Sequence, residues 1–316
     1  MYRLIGKRLL HSVPLLLFIS LVSFALIKLA PGDPVQSFVT PNMSPEDVER
    51  IRQSLGLDQP AYVQFGIWLS NLFQGNLGYS LANNRPVLDQ IVERVPPTAG
   101  LMGASILVSL VLAIPLGMIA AINRNKWIDK LLNLISYVGI SIPSFWFAML
   151  LIYLFALKLN LLPSMGMRTI GVESIWDVLK HGILPCAVLT FSYLSVYIRY
   201  IRSSAIGQLK EDYVQLQYAY GSTRWSILFR HVMKNVLLPI ITLLGLSLPD
   251  LITGAIITET VFSWPGLGSL MVGAVFGFDY PIIMGVTMIS SVLLIVGNLL
   301  ADILYTIVDP RIRDGR

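Results

Sequence analysis

The chain has 316 residues, of which 55% are hydrophobic and 13% charged, and a mean hydropathy of +0.70. Soluble domains carry about 25% charged residues, so a soluble globular protein is excluded and an integral membrane protein is expected. The net charge of +5 does not mark a nucleic-acid binder, because Lys and Arg stand in short groups at the ends of apolar runs, where they report topology.

A bilayer core takes roughly 20 apolar residues to cross, and runs of that kind predict six spans. The first, about Leu9 to Ala30, follows Arg3, Lys7 and Arg8. Its apolar part exceeds the about 7 to 15 residues of a signal-peptide core, and Pro31, Gly32, Asp33 and Pro34 follow it rather than an Ala-x-Ala cleavage site. It is therefore read as a retained span, with residues 1–30 forming a short tail and the first helix.

Residues 31–97 are long enough for a small loop domain. In "MSPEDVERIRQSLGL", Ser44 is a plausible N-cap, Pro45 suits the first helical position, and Asp47 stands three residues after the cap; a short helix ending near Gly56 is predicted. "YVQFGIWLSNLF" reads as a second, more apolar helix, packed over the bundle or resting on the membrane surface or a partner.

Five further spans occupy 98–308. They fall between Arg94 and Arg124, between Lys130 and Lys158, between Lys180 and Arg199, from Val236 to about Thr258, and from about Pro281 to Val308. Residues 309–316 are a tail. The single cysteine, Cys186, lies in the fourth run without an intrachain partner, so no disulfide frames the fold. Six spans put both termini on one side. The two tails, the Arg124 to Lys130 loop and the Arg199 to Lys234 loop hold 15 of the 23 basic residues, which places these segments in the cytoplasm.

Ionisable residues inside spans are costly and usually face a cavity or a partner. Asp250 lies about 21 Å into the fifth span at 1.5 Å per residue, toward the outer part of a pathway. Asp302 sits near the inner end of the sixth, where a structural ion pair suits it. After Glu259, "FSWPGLGSLM" breaks the apolar pattern with Pro265, Gly266 and Gly268. It reads either as a re-entrant or capping element beside the pathway or as a plain turn. Asp250, Glu259 and Trp264 are the candidate path residues.

Nothing in the chain reads as chemistry of its own. His11, His181 and His231 share no metal-ligand spacing, and snorkelling or interfacial roles suit each. Neither a Gly-x-Ser-x-Gly elbow nor a Gly-x-x-x-x-Gly-Lys-Ser/Thr loop is present, so no catalytic residue, cofactor or metal site is expected, and ATP with Mg would belong to other chains. A secondary transporter should show paired broken helices in two repeats and paired ion-binding carboxylates, and neither is apparent. An intramembrane enzyme lacks a catalytic constellation.

The segment from Glu211 to Pro239 is unusual for its setting, with Glu211, Asp212, Arg224, Arg230 and Lys234 in the midst of apolar runs. From Thr223 it predicts a helix capped by Ser222 or Thr223. Trp225, Leu228, Phe229, Val232 and Val236 fall on one arc and Arg224, His231 and Lys234 on another. Gly221 separates it from an earlier helix ending near Ala219. The resulting elbow either pushes against a partner or lies on anionic lipid.

The stretch Asp212 to Pro239 resembles the cytoplasmic Glu-Ala-Ala-x-x-x-Gly loop of ABC-importer permeases, in the longer form of the peptide and nickel branch. Aligned on Gly221, Leu216, Gln217 and Tyr218 replace Glu, Ala and Ala, while Ala219, Gly221, Arg230, His231, Asn235 and Pro239 fit. The likeness extends over nearly the whole chain through "LAPGDP", "LGLDQP", "GISIPSFW", "LNLLPSMG", "FSWPGLG" and "DPRIR". It implies an all-α membrane protein of type I importer permease architecture, with a sister permease, two cytoplasmic ATPases and an external substrate-binding protein as partners. The cargo would be oligopeptides or dipeptides, or nickel or a metal chelate in some relatives. It further implies that residues 206–235 form the coupling loop, with Asp212, Ala219, Gly221, Arg224, Trp225, Arg230 and His231 facing the ATPase.

Overall fold

The computed structural model describes residues 2–29, 35, 43–54, 56–247 and 256–308, and they are overwhelmingly helical. Helix α1 (Tyr2–Leu29) is followed by two short helices, α2 (Pro45–Ser54) and α3 (Ala61–Phe73). Then come α4 (Val87–Ile122), α5 (Trp127–Ser141), α6 (Ser144–Leu151) and α7 (Ile175–Gln208). The rest of the chain forms α8 (Asp212–Ala219), α9 (Arg224–Ser226), α10 (Met233–Ser247), α11 (Ile256–Val261), α12 (Leu267–Phe276) and α13 (Tyr280–Val308).

Among the described residues four helices are long and apolar enough to cross a membrane: Leu10–Leu29, Val87–Ile122, Ile175–Gln208 and Tyr280–Leu300. They correspond to the first, second, fourth and sixth expected spans. The third expected span is not straight. It bends by 102° between α5 and the following segment, giving five spans if the pair crosses as one. The cause is Pro143, which has no N–H to continue the ladder and pushes Ile142 before it into the extended region at φ −76°, ψ 125°. Beyond α6 the helix widens into a π-helical stretch, Ile152–Lys158. The fifth expected span is represented by α10 and α11. Asp250 lies between them, outside the described residues, as do the tail at 309–316 and the side chain of Asp302.

Among the described residues, helices α4 and α7 make the most extensive pairing. Gly117 allows their close approach, since a Cβ there would lie 2.7 Å from Ile201 Cβ. A buried cluster runs from Ala113, Met118 and Ala121 on α4 to Tyr197, Ile198, Ile201 and Ala205 on α7. A second cluster joins the start of α4, through Val87 and Ile91, to Leu267, Ala274, Ile282 and Val286. By contrast, only 6% of the apolar window of α1 is buried, so nearly all of its surface is left for lipid or another chain.

Both short helices form as expected. Ser44 Oγ accepts the Asp47 N–H at 3.2 Å, and Gly56 ends α2 at φ +64°. Burial of α3 is slight, but Phe65 meets Phe24 of α1 with ring centroids 5.3 Å apart, and Lys28 Nζ donates to Gln64 Oε1 at 2.6 Å. Asp279, just before α13, binds the Ser80 hydroxyl and the Leu81 N–H at 3.1 Å, tying the segment before α4 to the last helix. His181 packs within the chain near the start of α7. It is 7% exposed and its Nδ1 lies 2.8 Å from the Asp177 carbonyl one turn earlier.

At the opposite end of α7, Arg202 holds Asp129 bidentately, with Nη2 2.8 Å from Oδ2. The carboxylate also accepts the Asn125 N–H at 2.8 Å and an Asn133 amide N–H at 2.8 Å. The Asp129 side chain is 3% exposed and that of Arg202 23%, so removing one partner strands a buried charge. Arg202→Met should therefore destabilise the protein by about 3 kcal/mol, and adding Asp129→Asn should restore much of the loss. Thermal unfolding of the purified protein in detergent checks this; equal midpoints for the wild type and Arg202→Met would remove the pair from the stability account.

Candidate functional site

Two interruptions of the apolar pattern are built with care, one at each end of α4. The first is the elbow. Helix α8 ends in a Schellman motif: the Gly221 N–H donates to the Tyr218 carbonyl at 2.9 Å and the Ser222 N–H to the Gln217 carbonyl at 3.1 Å. Gly221 adopts φ +77°, the left-handed conformation that a β-branched side chain resists. The next helix is capped by Thr223, whose hydroxyl accepts the Ser226 N–H at 3.3 Å. It continues as a π-helical turn, Ile227–Val232, into α10.

That π turn rephases the side chains. The expected arc splits: Leu228, Val232 and Val236 are buried, joined by Ile227 and by Val214 of α8, whereas Trp225 is 56% and Phe229 39% exposed. Those two rings instead stack on each other, with centroids 5.8 Å apart and planes 9° from parallel. The elbow is thus rooted in the α4–α7 cluster on one side and presents an aromatic pair on the other. Asp212, Ala219, Gly221, Arg224, Trp225 and Arg230 are all exposed, and His231 is half-buried. A polar triangle braces the base. Tyr213 donates to Gln208 Oε1 at 2.8 Å, and Asn235 Nδ2 reaches the same oxygen at 2.9 Å. Gln208 and Tyr213 escaped the sequence reading because a lone Gln or Tyr on a short helix carries no pattern.

The second interruption surrounds Glu259, which is fully buried. The Thr98 hydroxyl donates to Glu259 Oε1 at 2.7 Å and at the same time accepts the Leu267 N–H at 2.8 Å. The Ser269 N–H reaches Glu259 Oε2 at 3.1 Å. Trp264, 4% exposed, donates its indole N–H to the Pro97 carbonyl at 3.0 Å. Gly266 and Gly268 leave the space the carboxylate fills, since a Cβ at either would come within 2.4 or 2.8 Å of its atoms. "FSWPGLG" is therefore a turn between α11 and α12 that encloses Glu259 and fastens it to α4. Glu259 and Trp264, expected along a path, sit inside the chain, and Thr98 is the partner that 161 intervening positions hid from sequence reading.

Thr98→Val would leave the Leu267 N–H without its acceptor and Glu259 Oε1 without its hydroxyl donor at once. We expect a loss of about 1 to 3 kcal/mol, seen as a lower unfolding midpoint in detergent, while Thr98→Ser keeps the wild-type value. Equal midpoints for Val and Ser would contradict the clamp.

Comparison with known proteins gives the family to which the chain belongs. Residues 113–314 match the family described as "Binding-protein-dependent transport system inner membrane component", and residues 1–102 match its N-terminal companion. The chain is 42% identical over 308 residues to the oligopeptide transport system permease protein AppB of Bacillus subtilis, covering 97% of this chain and 98% of the relative. It is 38% identical to the probable D,D-dipeptide transport system permease protein DdpB of Escherichia coli K12, over 94% of this chain and 93% of that one. It is likewise 38% identical to the K12 glutathione transport system permease protein GsiC, over 97% of both. The MetNI methionine ABC transporter, solved in inward-facing conformations, shares the fold at a TM-score of 0.57 and 15% identity, over 70% of this chain and 97% of its own. The chain is an inner-membrane, multi-pass permease of the binding-protein-dependent ABC-importer family, in the peptide and nickel branch.

Proposed function

We propose that the chain is the membrane-spanning permease subunit of an ATP-driven importer, that it forms the path with a sister permease, and that peptides are its cargo. The names of its relatives, which specify oligopeptides, D,D-dipeptides and glutathione, support the cargo. In this reading six spans cross the membrane, the fifth being α10 with α11, and both termini face the cytoplasm. Residues 31–97 form an external domain that meets a substrate-binding protein, lipid covers the bare face of α1, and Asp250 stands on the path. Glu259 and Trp264 act from behind it by holding α4 to the α11–α12 turn. The chain itself is non-catalytic; two cytoplasmic partner chains bind ATP and Mg.

The observation that carries the proposal is the two-sided elbow. Its apolar side is continuous with the core between α4 and α7, and its other side offers Trp225 stacked on Phe229 beside exposed Arg224 and Arg230. An aromatic and arginine surface of this kind suits a protein groove. A push on the elbow would displace Ile227, Leu228 and Val232 against α4 and α7, so nucleotide-driven closure of the partner and the state of the spans would bias one element.

Gly221 tests this. No atom lies within 4 Å of where its Cβ would stand, so a substitution there disturbs only the backbone. Gly221→Val should strain the turn by about 1 to 2 kcal/mol and tilt the elbow, lowering ATPase co-purification and abolishing peptide uptake while membrane insertion stays normal. Gly221→Asn, which tolerates the left-handed region, should retain both activities. Normal co-purification and uptake for Gly221→Val at wild-type membrane levels would contradict the proposal and favour a lipid-surface role.

A further inference from the structure

Beside the Glu259 clamp lies a cavity of about 260 Å³ whose walls include Asn83, Gln90, Arg94, Ser269, Gly273 and Asp279. Arg94 is half-buried, and among the described residues its guanidinium makes no hydrogen bond or ion pair. The nearby carboxylates are already engaged. Glu259 is held by Thr98 and Ser269, Asp279 by Ser80, Leu81 and Ala82, and Glu93 by Arg85. One turn before Arg94 on the same face of α4, Gln90 is fixed by reciprocal amide bonds, Asn83 Nδ2 donating to Gln90 Oε1 at 3.0 Å and Gln90 Nε2 to Asn83 Oδ1 at 3.3 Å. Arg94 lies near enough to Glu259 to attract its charge, yet its fork is committed to no protein acceptor among the described residues. On the wall of a cavity of mixed polar and apolar lining it suits a planar anion that accepts two bonds at once.

We propose that this cavity is a recognition site on the permease for the C-terminal carboxylate of an incoming peptide, with Arg94 as its ligand. The assignment rests on the peptide-importer reading, which also places this end of α4 outside the membrane. A carboxylate fits the guanidinium, and the volume of about 260 Å³ is about nine times the ≈ 30 Å³ share of a liquid water, room for one terminal residue rather than a bare ion. Arg94 thus acts as a specificity-determining residue that distinguishes a free peptide terminus from a blocked one after the receptor has released it.

The test uses the complete importer in proteoliposomes, with its receptor outside and ATP within. The probes are a defined mixture of di- to pentapeptides with free C-termini and the same mixture C-terminally amidated. Because one receptor serves every arm, its own preference cancels between the wild type and the variant. Arg94→Gln should lower uptake of the free acids about tenfold or more, as loss of a charge-assisted pair implies, and leave uptake of the amides unchanged, so that the acid-to-amide ratio collapses; Arg94→Lys should keep part of that ratio. An unchanged ratio overturns the proposal. So does an equal fall for acids and amides accompanied by weaker docking of peptide-free receptor, which would assign Arg94 to an acidic side chain of that protein. Absence of any peptide uptake by the wild-type complex would instead overturn the peptide-importer reading, and this site with it.

Discussion

A backbone polar group or a charge taken out of water must find its partner within the protein, and the breaks in this chain are arranged around that constraint. Uninterrupted helices satisfy it by themselves. Where the helical ladder stops, a side chain takes over: Glu259 and Thr98 supply bonds to Leu267 and Ser269 at the α11–α12 turn, and Asp279 supplies them to residues 81 and 82. Arg202 and Asp129 neutralise each other where α5 begins. Each of these groups would be costly if unpaired. Paired, they join elements far apart in sequence and turn a set of apolar rods into a defined bundle.

The same constraint separates the two ends of α4 in character. Thr98 and Met118 are about 30 Å apart along the helix axis at 1.5 Å per residue. Near Thr98 the contacts are polar and tightly enclosed. Around Met118 they are apolar, and it is here that Ile227, Leu228 and Val232 enter the core. Directional hydrogen bonds resist sliding, whereas an apolar contact tolerates small displacements of its neighbours. An elbow seated on the apolar end can therefore shift the bundle while the polar end holds the register of α4 against the α11–α12 turn.

Much of the architecture was legible because membrane burial leaves a coarse signal. Uncharged runs between Arg and Lys groups located four long helices, Ser44 and Gly56 delimited α2, and Gly221 marked the break between two helices, where the structure has a left-handed residue. What escaped was geometry without a period. Pro143 stood in plain view in "GISIPSFW", yet a 102° bend is a matter of how the chain repacks after the proline. One added residue per turn at Ile227–Val232 moved Trp225 and Phe229 off the buried arc, and no residue type betrays a π turn in advance. Glu259 reads as a path residue because a lone acid among apolar residues usually faces a cavity; its bonded partner Thr98 follows two prolines in a stretch without pattern, and only the folded chain brings the two together.

The account turns on which molecule the Trp225 and Phe229 surface touches. A benzophenone amino acid introduced at position 225, irradiated in intact cells expressing the complete transport system, reports that neighbour directly. Adducts to an ATPase subunit, lost when that subunit is omitted, are the result the account requires. Adducts to lipid alone, unchanged whether or not the ATPases are present, would contradict it.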